Sequence, residues 1–127
     1  LLLRELLKNL IDNALRYTPA DHAVPATVTV RVRNEGGSAF LDVEDTGPGI
    51  PERERPLVFD RFYRVLGTNV DGSGLGLSIV REIVEQHDAL LRVSFNPRTV
   101  DPDWPGTLIS VEFVHLLNAP PTVQLEA

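Results

Sequence analysis

The 127 residues include no cysteine, which excludes disulfides and thiolate metal sites. Such a composition fits a reducing compartment and equally fits many periplasmic chains, with cytoplasm the favoured expectation. No apolar run reaches the roughly 18 residues that a bilayer span requires, because Arg4, Glu5 and Lys8 interrupt the leucine-rich start. That start also lacks the layout of a signal peptide. Basic residues are in deficit, 12 Lys and Arg against 18 Asp and Glu, for a net charge of -6. A general nucleic-acid surface, which needs a basic excess, is therefore excluded. Internal repeats, heptad runs and low-complexity blocks are missing as well. An anionic ligand would need local help from backbone N–H groups, a divalent cation or a few placed arginines.

What is present is the balance of a folded domain with one core, 43% hydrophobic and 24% charged. Residues 1–17 read as a helix, with Leu3, Leu7, Leu10 and Ala14 on one stripe and Leu6, Ile11 and Leu15 widening it. Thr18-Pro19 ends it. The apolar pattern is already running at Leu1 without a cap, which predicts that the chain is cut from something longer.

Val28, Val30 and Val32 alternate with polar residues as in a half-buried strand. Glu35-Gly-Gly-Ser38 is a turn, and Ala39 to Glu44 is the hairpin partner with Leu41 and Val43 toward the core. Residues 52–58 suit one or two helical turns. A polar loop from Gly67 to Gly74 is long enough to move. A second amphipathic helix runs from Leu75 to His87, with Leu75, Ile79 and Ile83 joined by Val80 and Val84. Strands near Leu90 to Phe95 and Thr107 to Val114 bracket a proline-rich loop holding Trp104. The expected fold is an α/β (α+β) two-layer sandwich: a mixed, largely antiparallel sheet with helices on one face. Residues 1–117 form the domain and 118–127 a loose tail.

Three segments could carry chemistry. On the first helix, Asn13 projects between Leu2 and Leu6, inside the apolar arc, where an unpartnered amide costs about 1–3 kcal/mol. Asn9 lies one turn earlier on the same side, and Arg16 and Tyr17 follow one turn later. Two asparagines tying the helix to a neighbouring loop would explain this equally well. Asp45-Thr-Gly-Pro-Gly-Ile50 follows a strand, and its aspartate can accept from an exocyclic amine while its glycines keep side chains away from a flat ligand. An ordinary turn would also look like this. Gly72-Ser-Gly-Leu-Gly-Leu77 opens into a helix, converging N–H groups and the positive helix end on one spot that favours anions. It lacks the lysine of the P-loop and the strand of the dinucleotide fingerprint, and in isolation it could be a hinge.

The order and spacing of these segments are distinctive. Asn9-Leu-Ile-Asp-Asn-Ala-Leu-Arg-Tyr-Thr18 resembles the N box of sensor histidine kinases of two-component systems. Asp45-Thr-Gly-Pro-Gly-Ile50 is similar to their G1 box, Phe59-Asp-Arg-Phe-Tyr-Arg64 to their F box, and Gly72-Ser-Gly-Leu-Gly-Leu-Ser-Ile-Val80 to their G2 box. The resemblance runs from about Leu1 to Phe113. It implies the GHKL sandwich shared with gyrase, the Hsp90 chaperones and the MutL repair proteins, with ATP between helix and lid.

By this resemblance Asn13, assisted by Asn9, would hold Mg²⁺ against the triphosphate, Arg16 would reach the phosphates, and Tyr17 would pack on the adenine. Asp45 would accept from the adenine amine, Gly47 and Gly49 would shape that pocket, and Ile50 would line it. Phe59 and Phe62 would anchor the lid, Arg61 and Arg64 would approach nucleotide or partner, and the N–H groups of Gly72, Ser73, Gly74, Leu75, Gly76 and Leu77 would cradle phosphates.

ATP-hydrolysing relatives carry a glutamate where Asn9 stands, and an amide cannot take the proton of an attacking water. The resemblance therefore implies a kinase whose acceptor is a histidine on a separate dimerisation helix, since His22, His87 and His115 have no phosphoacceptor context. The implied partners are the dimerisation and phosphoacceptor helices of the same full-length protein and a response-regulator receiver domain. No nucleic acid and no membrane contact are expected of the domain, which would be the cytoplasmic part of an inner-membrane sensor. A non-catalytic ATP sensor and a GHKL ATPase machine are the competing readings; an anti-sigma-factor serine kinase is disfavoured by the F box. Two departures stand out. Asp88 follows His87 where the family has a glycine cap, and the loop from Asn96 to Gly106 is longer than usual.

Overall fold

The computed structural model describes residues 2–18, 26–63 and 75–114. Helix α1 (Leu2–Arg16) is followed by strands β1 (Val28–Glu35) and β2 (Ser38–Asp45), a short 3₁₀ turn (Glu52–Glu54), helix α2 (Gly76–Gln86), and strands β3 (Leu90–Phe95) and β4 (Thr107–Phe113). The strands form one sheet in the order β1-β2-β4-β3. All three pairings are antiparallel, so the described residues supply the antiparallel part of the expected sheet. The tail expected at 118–127 and the loop from Gly67 to Gly74 lie outside the described residues.

Strand periodicity sorts the sheet into two faces. Val30, Val43, Ile109 and Val93 stand in one cross-strand row, and Val32, Leu41, Val111 and Leu91 in the next. Both rows face the helices. The buried core joins Val43, Ile109 and Val111 to Leu6, Leu10 and Ala14 of α1 and to Leu77, Val80, Ile83 and Val84 of α2, closed by Ile50, Val58 and Phe59. On α1 the buried row is i, i+4, i+8 from Leu6, whereas Leu3 and Leu15, placed on the core stripe by periodicity, are exposed. Ile79 of α2 departs in the same way. The apolar arc of each helix is wider than the strip its neighbours cover.

The opposite sheet face is an ionic lattice. Glu44 accepts from Arg31 and Arg98, Asp42 from Arg33 and Ser110, and Glu112 from Arg92 and Ser38. Draped arginines explain how Asp42 and Glu44 are buried on a face without helices.

The end of α2 resolves one departure seen in the sequence. Asp88 takes φ 51, the left-handed position usually given to glycine, and Ala89 N donates to Val84 O at 3.0 Å while Asp88 N donates to Glu85 O at 3.2 Å. These two bonds complete a Schellman cap with a carboxylate in the unfavourable place. Relieving the left-handed strain outweighs the extra freedom glycine gives the unfolded chain. Asp88→Gly is expected to stabilise the fold by about 0.5–1 kcal/mol, read as a rise in thermal midpoint with unchanged nucleotide affinity.

Candidate nucleotide-binding site

The alternation that points Leu41 and Val43 to the core continues to Asp45, which therefore enters the helix-facing side at the end of β2. Its exposure is 4%. Oδ1 accepts from Gly47 N at 2.9 Å and from Thr107 N at 3.1 Å. No hydrogen bond among the described residues reaches Oδ2, which is left to accept from a ligand donor. Burial pushes the pKa up to about 6, against the two backbone N–H groups that pull it down.

The segment after Asp45 is wedged rather than loose. A Cβ on Gly47 would stand 2.0 Å from Tyr17 O, so the turn lies directly on the last residues of α1. Gly49 meets the Phe95 ring at 3.0 Å by the same measure. Ile50 is in the core, its carbonyl accepting from Arg55 Nε at 3.1 Å, and the Arg55 guanidinium lies 4.6 Å from the Phe95 ring.

The middle of α1 meets α2. A Cβ on Gly76 would stand 3.4 Å from Asn9 Oδ1. The Asn9 amide is oriented by donating from Nδ2 to Glu5 O at 2.8 Å, which turns Oδ1 toward the start of α2. That helix has Leu75 at its N-cap with no side-chain cap hydrogen bond, and its positive dipole end favours an anion. Asn13, one turn from each of these two contacts, is half-buried, and its carboxamide has no hydrogen-bond partner among the described residues. Arg16 is exposed at the end of α1, and Tyr17 is half-buried against the core.

Asn9, Asn13, Tyr17, Asp45, Gly47, Gly76 and Leu77 are thus brought along one side of the α1 axis, Leu77 as a core residue under α2. The interval from Asn9 to Tyr17 is about 12 Å at helical rise, of the order of an extended nucleoside triphosphate. Of the two expected lid anchors, Phe59 is in the core, and Phe62 is 64% exposed with φ 66, the Arg61 guanidinium lying 5.7 Å from its ring centre. Tyr63 instead ties the segment down, donating to the buried Glu54 carboxylate at 2.8 Å. Arg64, Gly72, Ser73 and Gly74 lie outside the described residues, as do His22 and His115. His87 is exposed at the end of α2.

Sequence periodicity missed the residues that hold Asp45 from the far side of the sheet. Asn96, buried, donates from Nδ2 to Asp45 O at 3.0 Å, and Gly106 N donates to Gly47 O at 2.9 Å. The signal available was an Asn at the end of a strand and a glycine before the next.

No cluster of three or more His, Cys, Asp or Glu able to hold a metal occurs among the described residues. A hard divalent cation takes oxygen ligands, and the amide oxygens of Asn9 and Asn13 are of a kind that could hold one beside a ligand's phosphates.

Comparison with known proteins followed the same lines. The model of the histidine kinase-, DNA gyrase B- and HSP90-like ATPase family matches residues 1–116. The chain is 46% identical over 104 residues to the signal transduction histidine-protein kinase/phosphatase MprB of Mycobacterium leprae, covering 81% of this chain and 19% of that protein. It is 48% identical over 86 residues to the sensor protein kinase PmrB of Pseudomonas aeruginosa, covering 67% and 17%. It thus spans about a fifth of the length of these curated relatives. A mycobacterial sensor histidine kinase MprB structure superposes with TM-score 0.76 at 38% identity, over 88% of this chain and 71% of that one. Full-length ShkA in complex with AMPPNP gives TM-score 0.64 at 28% identity, over 88% and 21%.

Proposed function

The chain belongs to the histidine kinase-, DNA gyrase B- and HSP90-like ATPase family, and from that premise we propose that it is the ATP-binding catalytic domain of a sensor histidine kinase. It would present the γ-phosphoryl group of ATP to a histidine on a separate dimerisation helix. The observation that carries this reading is the α1 rail, which joins a buried carboxylate, one of whose oxygens has no hydrogen bond among the described residues, to a helix start whose dipole favours anions. An AMPPNP complex of a structural relative supports the choice of ATP.

In this reading Asp45 Oδ2 accepts from the adenine amine, while Gly47, Gly49 and Ile50 form the floor on which the base lies and Tyr17 packs on it. The start of α2, with Leu75, Gly76 and Leu77, takes the phosphates, joined by Gly72, Ser73 and Gly74. Arg16 and Arg64 approach the phosphates or the docking partner, and Phe59 with Tyr63 fixes the base of the lid. Asn13 and Asn9 hold Mg²⁺ through amide oxygens, and the cation supplies neutralisation of phosphate charge.

Asn9 withholds a general base from water, so the phosphoryl group waits for an imidazole. The acceptor nitrogen bonds to the γ-phosphorus, the bond to the β–γ bridging oxygen breaks, ADP leaves, and the imidazole gives up its N–H proton. The partners are the dimerisation helices of the same full-length protein and then a receiver domain. The setting is the cytoplasmic side of a membrane sensor; no helix among the described residues is long and apolar enough to cross a membrane.

Asn13→Ala is expected to abolish Mg²⁺-dependent ATP binding by calorimetry, while circular dichroism and thermal midpoint stay near wild type. Unchanged affinity would make Asn13 a structural amide. With labelled ATP and Mg²⁺, the chain alone is expected to acquire negligible acid-labile label and to hydrolyse ATP negligibly. Strong self-labelling or steady hydrolysis would count against a missing acceptor.

A further inference from the structure

The β3–β4 connection, residues 96–106, has no part in the roles just given, yet both of its ends close on Asp45. Thr107 is the cross-strand partner of Asp45, and its N–H is directed to the carboxylate Oδ1 at 3.1 Å. The Asp45 carbonyl is met by the Asn96 side-chain amide at 3.0 Å. Asn96 is itself fixed on every side. Its exposure is 7%, its Oδ1 accepts from Arg98 N at 3.0 Å, and its main-chain N donates to Pro105 O and Gly106 O at 3.2 Å. Gly106, at φ +70, permits the approach, since a Cβ there would stand 2.3 Å from Asp45 O. On the outer face Arg98 pairs with Glu44, the preceding residue of the same strand.

We infer that Asn96 is a positioning residue for nucleotide binding, its side-chain amide occupying the Asp45 carbonyl so that the Thr107 N–H stays on the carboxylate that meets the base. The inference rests on the assignment of Asp45 to the adenine amine. The physical basis is a competition for one donor. Losing a donor at a buried carbonyl is costly, and Thr107, the cross-strand partner of Asp45, carries the backbone N–H that lies beside both the carbonyl and the carboxylate. Once Asn96 is removed, that donor is drawn from Oδ1 to the carbonyl, and the carboxylate loses both its aim and one of the two bonds that favour its ionised form.

Asn96→Ser separates this role from loop folding, because a serine oxygen can still accept from Arg98 N but its side chain is too short to reach Asp45 O. The test is a double-mutant cycle with Asp45→Asn, read as ATP affinity by calorimetry beside thermal midpoints. Asn96→Ser is expected to weaken ATP binding about tenfold in the wild-type background and to have almost no effect in Asp45→Asn. The pH of half-maximal affinity should also rise in Asn96→Ser. If the serine variant is poorly folded, Asn96→Asp, equal in size and unable to donate when ionised, is expected to repeat the pattern. An equal loss in both backgrounds, or no loss in the wild type while Asp45→Asn is impaired, overturns the inference. Asp45→Asn binding ATP as tightly as wild type overturns instead the assignment of Asp45 on which it rests.

Discussion

Asp45→Asn is expected to lower ATP affinity by about a hundredfold while making the fold more stable at neutral pH. Both N–H donors converge on Oδ1, so an asparagine oxygen placed there keeps both bonds. The new NH₂ then occupies the position of Oδ2 and faces the adenine amine donor to donor. A mispaired buried hydrogen bond and a lost charge-assisted one account for about a hundredfold in binding. The stability gain follows from the carboxylate's raised pKa of about 6, caused first by burial. A folded pKa above the unfolded one means that the folded protein holds the proton more tightly from about pH 4 to pH 6, so this group's contribution to stability is lost as pH rises through that window. At pH 7 the wild type therefore carries a buried charge that asparagine removes, a difference on the order of 1–3 kcal/mol. ATP affinity has the opposite sign, since only the ionised carboxylate accepts from the amine. Wild-type affinity is expected to fall about tenfold from pH 7 to pH 5, and that of Asp45→Asn to stay nearly flat. Calorimetric titration of both proteins across the window checks both statements.

Gly47→Ala is expected to be a severely disruptive single-methyl change. The added carbon would lie 2.0 Å from Tyr17 O and 3.0 Å from Tyr17 C, both backbone atoms of the α1 end, and 3.2 Å from Asp45 Oδ1. No rotamer change relieves a clash with main chain. Either α1 separates from the turn or the Gly47–Gly106 bond breaks, and both outcomes displace Asp45. The expected cost is about 3–5 kcal/mol, a large share of the 5–15 kcal/mol typical of a domain, with a thermal midpoint lower by roughly 10 °C or more and ATP binding lost. Gly76→Ala is the internal control. Its added carbon meets only the Asn9 carboxamide oxygen at 3.4 Å, and a change in stability within about 1 kcal/mol is expected. Equal tolerance at both positions in thermal unfolding would mean that the turn does not rest on α1 as described.

The contrast between these two glycines shows what sequence can and cannot reveal. That Asp45-Thr-Gly-Pro-Gly-Ile50 turns tightly is readable from composition, because glycine and proline restrict the backbone locally. That Gly47 alone is pressed onto Tyr17 is a tertiary fact. The same division holds for the helices. Periodicity located α1 and α2 within a residue or two, yet put Leu3, Leu15 and Ile79 toward the core, because an apolar arc does not disclose how much of it a neighbour covers. Strand alternation gave the hairpin and the inward Leu41 and Val43. One more step of the period of two would have placed Asp45 on that face, where a carboxylate is anomalous. Asn96 and Thr107 could not be reached this way, since they bond Asp45 across 51 and 62 residues of chain. Asp88 illustrates the reverse: a missing glycine in the sequence left the helix cap intact, with the strain carried by an aspartate.

The decisive measurement is the structure of this chain with Mg²⁺ and a non-hydrolysable ATP analogue. Binding along the α1 rail predicts the adenine amine within about 3 Å of Asp45 Oδ2, the phosphates at the start of α2, and the cation on Asn13. An adenine amine bonded elsewhere, with Asp45 Oδ2 left to water, would contradict it.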